Sequence, residues 1–492
     1  MATLGLETTI QSREIFNQTR KRLREHGIKL PKFKELCSPS TIDETILSEL
    51  EKVSPNAPDP RNLFRIHWYN RPEGGTSNCP HYIALPKALT GVDATILVMV
   101  GANFPMIQAH KVLAAYGCLA PRLVTGQFDP TQHRAIWPST GNYCRGGIAV
   151  SRIMDCHGVA ILPEEMSQER FDWLKTWCLS EKDIVATPGC ESNVKEIYDA
   201  CNELDKIPSN IIFNQFSEFG NALVHYACTG KALQDIFEDF SATHPGANPA
   251  AFVSATGSAG TLSAGDFLKE QFGTKIVAVE AVECPTLLYN GFGGHNIQGI
   301  GDKHIPLVHN AMNTDVVVGI SDKNTDHLFT LFNTDQGRDY LAERRKLSDS
   351  DIDNLKWFGL SSICNILAAI KYAKHFQLTD KDTVLTVATD SAEMYQSEKQ
   401  KVLGKPEFTP FDRTGAAEIF GQYLAGLGTD HLKELSYTDR LGIFNLGYYT
   451  WVEQQGISLE AFEARKKPEF WTNLRSYLDE WDALIDEFNA KP

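Results

Sequence analysis

A lysine flanked by apolar segments is the first place where this sequence could do chemistry. Lys111 closes the stretch Asn103-Phe-Pro-Met-Ile-Gln-Ala-His-Lys111, between the apolar run 94–100 and a helix-forming segment, Val112-Leu-Ala-Ala-Tyr116. An ammonium at such a strand-to-helix junction loses solvation, which lowers its pKa. A neutral lysine amine is the group that forms Schiff bases with carbonyl compounds. The competing reading is a solvated lysine on the first turn of an amphipathic helix, and this stretch alone leaves both open.

Four further junctions carry polar groups. The segment Ala255-Thr-Gly-Ser-Ala-Gly-Thr-Leu-Ser-Ala-Gly265 follows the strand-like run 251–253 and precedes a helical stretch, 266–271. Its small residues let several backbone N–H groups converge at a helix start, and Ser258 and Thr261 add hydroxyls, a combination suited to one phosphate monoester. The spacing is neither that of a nucleotide P-loop nor that of a dinucleotide turn; a glycine-rich turn with no ligand is the alternative. Ser139-Thr-Gly-Asn-Tyr143 opens the helical segment 147–154 and makes an anion cradle fit for a carboxylate, or simply an N-cap and turn. Gln215-Phe-Ser-Glu-Phe-Gly-Asn221 follows the run 210–213, and Gly359-Leu-Ser-Ser362 leads into a helical stretch, 363–372.

The elements that must position these groups alternate. Short β-rich runs at 94–101, 158–162, 183–186, 210–213, 251–253, 275–279 and 384–387 are separated by helical stretches, the signature of βαβ units and a largely parallel sheet. In open α/β sheets ligands bind where strand ends turn into helices, so the chemistry is to be sought at such junctions. Residues 1–60 read as amphipathic helices ending in a proline-marked linker (Pro55, Pro58, Pro60), 61–400 as an α/β core of two intertwined subdomains, and 401–492 as a helical extension. A polar connector is expected at 399–414, and Trp451, Trp471 and Trp481 stand out in the last segment. The net charge of −15, with no basic tract, argues against a nucleic-acid partner. Eleven scattered cysteines without C-x-x-C spacing signal neither a zinc site nor a redox pair, and fit a reducing cytoplasm. No secretory signal and no membrane-spanning run is expected.

Taken in order, these segments resemble the fold-type II pyridoxal-phosphate enzymes over roughly residues 65–400, most of all cysteine synthase and the catalytic core of cystathionine β-synthase. The resemblance rests on Lys111, Ser139-Thr140-Gly141-Asn142, Gln215-Phe216, the 255–265 loop, Val279-Glu280, Gly291-Phe-Gly-Gly-His-Asn-Ile-Gln-Gly-Ile-Gly301, Gly359-Leu-Ser-Ser362 and Thr389-Asp-Ser-Ala-Glu-Met-Tyr395. It implies an α/β, two-domain, tryptophan synthase β-like fold with helical N- and C-terminal extensions. It implies pyridoxal 5'-phosphate as cofactor and no metal. Lys111 would carry the cofactor and act as general base, with the phosphate on Gly257, Ser258, Ala259, Gly260 and Thr261. Asn142 would bond the phenolic oxygen and Ser361 would face the pyridine nitrogen. Ser139, Thr140 and Gly141, with Gln215, would hold the substrate carboxylate. The implied reaction is β-elimination or β-replacement on a β-substituted amino acid through an aminoacrylate, by a cytoplasmic homodimer. A serine/threonine dehydratase-type lyase is an alternative. So is a non-catalytic cofactor-binding subunit that docks a partner through exposed terminal tryptophans. Several positions depart from the family pattern: Pro105 lies one place further from the lysine, His110 replaces an aliphatic or aromatic neighbour, Val112-Leu113 replace Asp-Arg, Tyr143 replaces threonine, and Ile363 and Cys364 replace small residues.

Overall fold

The computed structural model describes residues 4–406 and 410–490, so part of the connector expected at 399–414 lies outside the described residues. Its strands are β1 (Tyr82–Leu85), β2 (Thr95–Val100), β3 (Arg134–Pro138), β4 (His157–Pro163), β5 (Ile184–Thr187), β6 (Asn210–Ile212), β7 (Asn248–Ala255), β8 (Lys275–Ala281), β9 (Val316–Ile320), β10 (Asp382–Ala388) and β11 (Leu432–Glu434). In β2, Leu97 and Met99 enter one apolar core while Ile96, Val98 and Val100 enter another. A strand covered on both faces reads as an unbroken apolar run, because its alternation is hidden.

Seven strands form the larger sheet in the order β1-β2-β10-β7-β8-β9-β11, and four form the smaller in the order β5-β4-β3-β6. The smaller sheet is parallel throughout. The larger is parallel except at its edges, where β1 and β11 run antiparallel to their neighbours. The chain leaves the larger sheet after β2 through the helix Lys111–Val124, builds the smaller sheet, and returns at β7. Parallel neighbours demand such crossovers, so helices cover the sheets and the strand ends converge on one side. The α/β class expected from the sequence is the class observed.

The terminal segments pack on this core. The helix Arg13–Glu25 starts at Ser12, whose hydroxyl accepts the Ile15 N–H. The last helix, Tyr477–Asn489, sets Phe488 edge-on against Phe16 at 5.4 Å and Trp481 against Phe33 at 5.8 Å. The Asp482 carboxylate accepts the N–H groups of Phe33 and Lys34 at 2.5 and 3.1 Å, which caps the short helix Phe33–Cys37. One expectation is corrected here. The terminal tryptophans are buried: Trp451 and Trp481 are 0 % exposed and Trp471 9 %. Each indole N–H donates to a carbonyl, of Ile305, Glu7 and Arg465 respectively. Large aromatic faces gain more from burial than from solvent once that donor is satisfied. At the proline-marked linker, Asn62 ties its amide to the carbonyls of Ser54 and Ala57, and Met106 N–H bonds the Pro55 carbonyl at 3.0 Å.

Trp481→Ala leaves a cavity between the two termini and the helix Lys111–Val124. It is expected to cost about 3–5 kcal/mol and to lower the unfolding temperature measured by scanning calorimetry; an unchanged temperature would mean that the last helix is not docked.

Candidate active site

The ends of β2, β3, β6, β7 and β10 open on one cavity. Of the twelve residues singled out from the sequence, eleven line it; Gly141 does not.

Lys111 reaches the cavity from β2 through the 101–110 loop. Met106 and Gln108 in that loop take φ of +65° and +52°, a backbone region that costs side chains energy and is held only by surrounding contacts. One such contact is the His110 N–H to the Thr389 carbonyl, 3.2 Å. The helix Asn142–Ile153 crosses Lys111 so closely that a Cβ at Gly146 would lie 2.9 Å from the Lys111 carbonyl oxygen, a spacing that only glycine permits. Lys111 Nζ donates to Gln215 Oε1 and to Ser258 Oγ, both at 3.1 Å. Burial pushes its pKa down to about 8, against the opposing pull of Asp302, Cys118 and Glu191.

The glycine-rich loop runs from β7 into the helix Ser263–Phe272. Ala259 takes φ of +61°, which turns successive N–H groups toward a common point. The Ser258 hydroxyl is held by Asn221 Nδ2 at 3.0 Å, and the Thr261 hydroxyl pairs with His110 Nε2 at 2.8 Å. Burial, and then the neighbouring Lys111, lowers the His110 pKa to about 3, so its ring acts as a neutral hydrogen-bonding group. A Cβ at Gly257 would meet the Gly299 carbonyl oxygen at 3.0 Å. Ser361, 3 % exposed, pairs its hydroxyl with that of Thr389 at 2.8 Å.

On the smaller-sheet side, Ser139 Oγ accepts the Gly141 N–H at 2.9 Å, and Gly141 takes φ of +148° at the start of the helix Asn142–Ile153. Asn142 Nδ2 donates to Asp390 Oδ2 at 2.7 Å, while its Oδ1 accepts from Arg145 Nη1 at 2.9 Å. Tyr395 OH donates to the same Asp390 oxygen at 2.7 Å, and Arg170 reaches both the Tyr395 oxygen and Gln298 Oε1. Three of the sequence motifs thus meet in one buried clasp. Tyr143, in place of the family threonine, lines the cavity and sets its ring against Trp137 at 5.4 Å.

Several residues with polar groups at the site were not singled out from the sequence. Thr389 and Asn365 line the cavity, and Asn365 accepts the Ala255 N–H at 2.8 Å and donates to the Val387 carbonyl at 2.9 Å, fixing the ends of β7 and β10. Asp302 also lines it, directly after the glycine run that ends at Gly301. Glu191 is fully buried, and burial raises the pKa of both carboxyls to about 8. Converging N–H groups, two hydroxyls and a desolvated amine, with no carboxylate in the glycine-rich loop, fit a phosphate-bearing aldehyde such as pyridoxal phosphate.

The chain is 31 % identical over 262 residues to a cysteine synthase of Staphylococcus aureus, covering 53 % of this chain and 74 % of that protein. It is 26 % identical over 283 residues to the cystathionine β-synthase of Saccharomyces cerevisiae, covering 55 % of this chain and 51 % of that one. A solved cysteine synthase from Entamoeba histolytica superposes with a TM-score of 0.54 at 21 % identity, over 70 % of this chain and 92 % of that one, which is a likeness of fold. No family model matches the chain.

In cofactor-free protein, Lys111 is protonated below its pKa and reactive above it. Its acylation, followed by peptide mass spectrometry against pH, is expected to reach half its maximal rate near about 8, where exposed lysines need about 10.4. A midpoint at the ordinary value would remove the desolvated amine.

Proposed function

The chain belongs to the cysteine synthase and cystathionine β-synthase family, and on that premise we propose that it catalyses β-elimination or β-replacement on a β-substituted amino acid, with pyridoxal 5'-phosphate as cofactor. One observation supports this above the others. The buried amine of Lys111 lies 3.1 Å from the Ser258 hydroxyl, which stands 147 positions later in the glycine-rich loop.

Lys111 would hold the cofactor's aldehyde carbon, residues 257–261 its phosphate, Ser361 its ring nitrogen and Asn142 its phenolic oxygen. Bound there, the pyridoxal ring supplies an electron sink for the pair left at the substrate's α-carbon. Lys111 Nζ takes the α-proton, a task for which an amine with a pKa near neutrality is suited. Gln215 Oε1 orients that amine. The Ser139–Asn142 loop takes the substrate carboxylate. The fully buried guanidinium groups of Arg145 and Arg170 lie behind it and outnumber the single Asp390 carboxylate they surround, which favours an anion. The Ser361 hydroxyl is bonded to the Thr389 hydroxyl, so the ring nitrogen meets a neutral partner. That restrains charge build-up on the ring and favours loss of a β-substituent over transamination. The reading of a non-catalytic subunit loses its docking surface, since the terminal tryptophans are buried. We take the working unit to be a cytoplasmic homodimer on the family resemblance alone.

The test is an absorbance titration of the purified, cofactor-loaded protein with O-acetylserine, cysteine, serine and threonine, alongside assays for ketoacid release and, with added sulfide, cysteine formation. At least one substrate is expected to change the spectrum and turn over. Borohydride treatment is expected to leave the cofactor mass on the peptide that contains Lys111, and Lys111→Ala is expected to lose turnover by about 10²–10⁴-fold. Protein that binds the cofactor and is inert with every substrate overturns the proposal. Ser361→Asp adds a carboxylate beside the ring nitrogen and is expected to raise transamination relative to elimination by on the order of tenfold; an unchanged ratio of the two products removes the role given to Ser361.

A further inference from the structure

We propose that Asp302 is the proton donor to the leaving group, so that the substrate carries an unactivated β-substituent, a hydroxyl or a thiol, rather than an acylated one. This rests on the reaction proposed above and narrows its substrate class.

Asp302 is the one carboxyl among the residues lining the cavity. It is 7 % exposed, and among the described residues its Oδ2 has no hydrogen-bond partner. Its backbone is fixed: the Asp302 carbonyl accepts the Thr286 hydroxyl at 2.7 Å, and the preceding Gly301 N–H bonds the Thr256 carbonyl at 2.8 Å. A buried carboxyl with an unpaired oxygen is costly unless it has work to do or is neutral. Burial keeps this one protonated into the neutral range, against the pull of Lys111. The other parts of the bound substrate and cofactor already have partners in the proposed reaction: the glycine-rich loop for the phosphate, Ser361 for the ring nitrogen, Lys111 for the α-carbon and the Ser139–Asn142 loop for the carboxylate. The β-substituent is what remains for Asp302.

The proton balance closes between two side chains. Lys111 Nζ takes the α-proton, the C–H electron pair becomes the Cα=Cβ bond, and the Cβ–O or Cβ–S bond breaks. The departing oxygen or sulfur keeps that pair and takes the Asp302 proton, leaving as water or as hydrogen sulfide. A neutral amine and a neutral acid become an ammonium and a carboxylate lining one poorly solvated cavity, where opposite charges attract more strongly than in water. An acyloxy group leaves as a stable anion and needs no such donor. Hydroxide, the conjugate base of water with a pKa of about 15.7, cannot leave without one.

The experiment compares Asp302→Asn with wild type on serine, cysteine and O-acetylserine, using loaded enzyme. The wild type is expected to turn over serine or cysteine. The variant's kcat ratio of serine or cysteine to O-acetylserine is expected to fall by about 10²-fold, and Asp302→Glu to recover part of it. A readout free of turnover is the Lys111 acylation profile in cofactor-free protein. The ionisable groups acting on Lys111 are Asp302, Cys118 and Glu191, so removing Asp302 is expected to shift that profile to lower pH. An unchanged kcat ratio, an unmoved profile, or a wild type that uses O-acetylserine alone overturns the proposal and leaves the family reaction standing. A wild type inert with all three substrates overturns the reaction itself.

Discussion

Keeping one amine poorly solvated without giving it a counter-ion is the constraint on which this structure depends. An ion pair at Lys111 would hold it protonated and useless as a nucleophile or base. Its hydrogen-bond partners are accordingly neutral oxygens, of Gln215 and Ser258. The dryness is built from both sides. β2 delivers the chain from between two apolar cores, and the helix Asn142–Ile153 closes over Lys111 at Gly146. The strained turns at Met106 and Gln108 aim the lysine back toward the strand ends, and their cost is met by the contacts that hold the 101–110 loop.

A second buried polar system holds the two sheets in register. Asn142 follows β3 in the smaller sheet and Asp390 follows β10 in the larger, yet their side chains bond at 2.7 Å. Arg170, Tyr395 and Gln298 complete the clasp. Breaking one member of such a network leaves the others buried and unpaired, so it fixes geometry more than it adds stability. The sequence motifs around Asn142, Gln298 and Asp390–Tyr395 thus share a structural duty. Asn142 spends both ends of its amide there and retains one N–H for anything bound in the cavity.

Legibility in the sequence followed locality. Lys111 stood out because its signal, an apolar run passing into a helix, lies within twenty residues, although only the downstream segments told against a solvated lysine; the 255–265 loop stood out because small residues cluster where a strand ends. β3 escaped notice because arginine, tryptophan and proline interrupt its apolar pattern, although it lies inside the smaller sheet. β9, with its short Val-Val-Val core, escaped because such runs suit a buried strand and a buried helix segment alike. The terminal tryptophans misled because amphipathic patterning tells which face is apolar and not what covers it; here the two ends of the chain cover each other. Asp302 and Glu191 had no local signal at all, since isolated acids reveal burial only once the fold surrounds them.

The departures from the family pattern separate once their surroundings are known. Ile363 and Cys364, which replace small residues after the serine that faces the cavity, are buried in the core beneath the helix Leu360–His375. Val112 and Leu113 likewise enter the core under the helix Lys111–Val124. These changes alter packing behind the site and leave its polar surface intact. Tyr143 and His110 are different, because both line the cavity. Tyr143 is anchored on Trp137 beside the Ser139–Asn142 loop, and His110 is committed to Thr261 in the glycine-rich loop. Asp302 lines the same cavity, and among the described residues its Oδ2 has no hydrogen-bond partner. A fold shared with other enzymes does not fix the reaction; the chemistry that distinguishes this chain is therefore to be sought where an unpaired acid faces the same space as a desolvated amine.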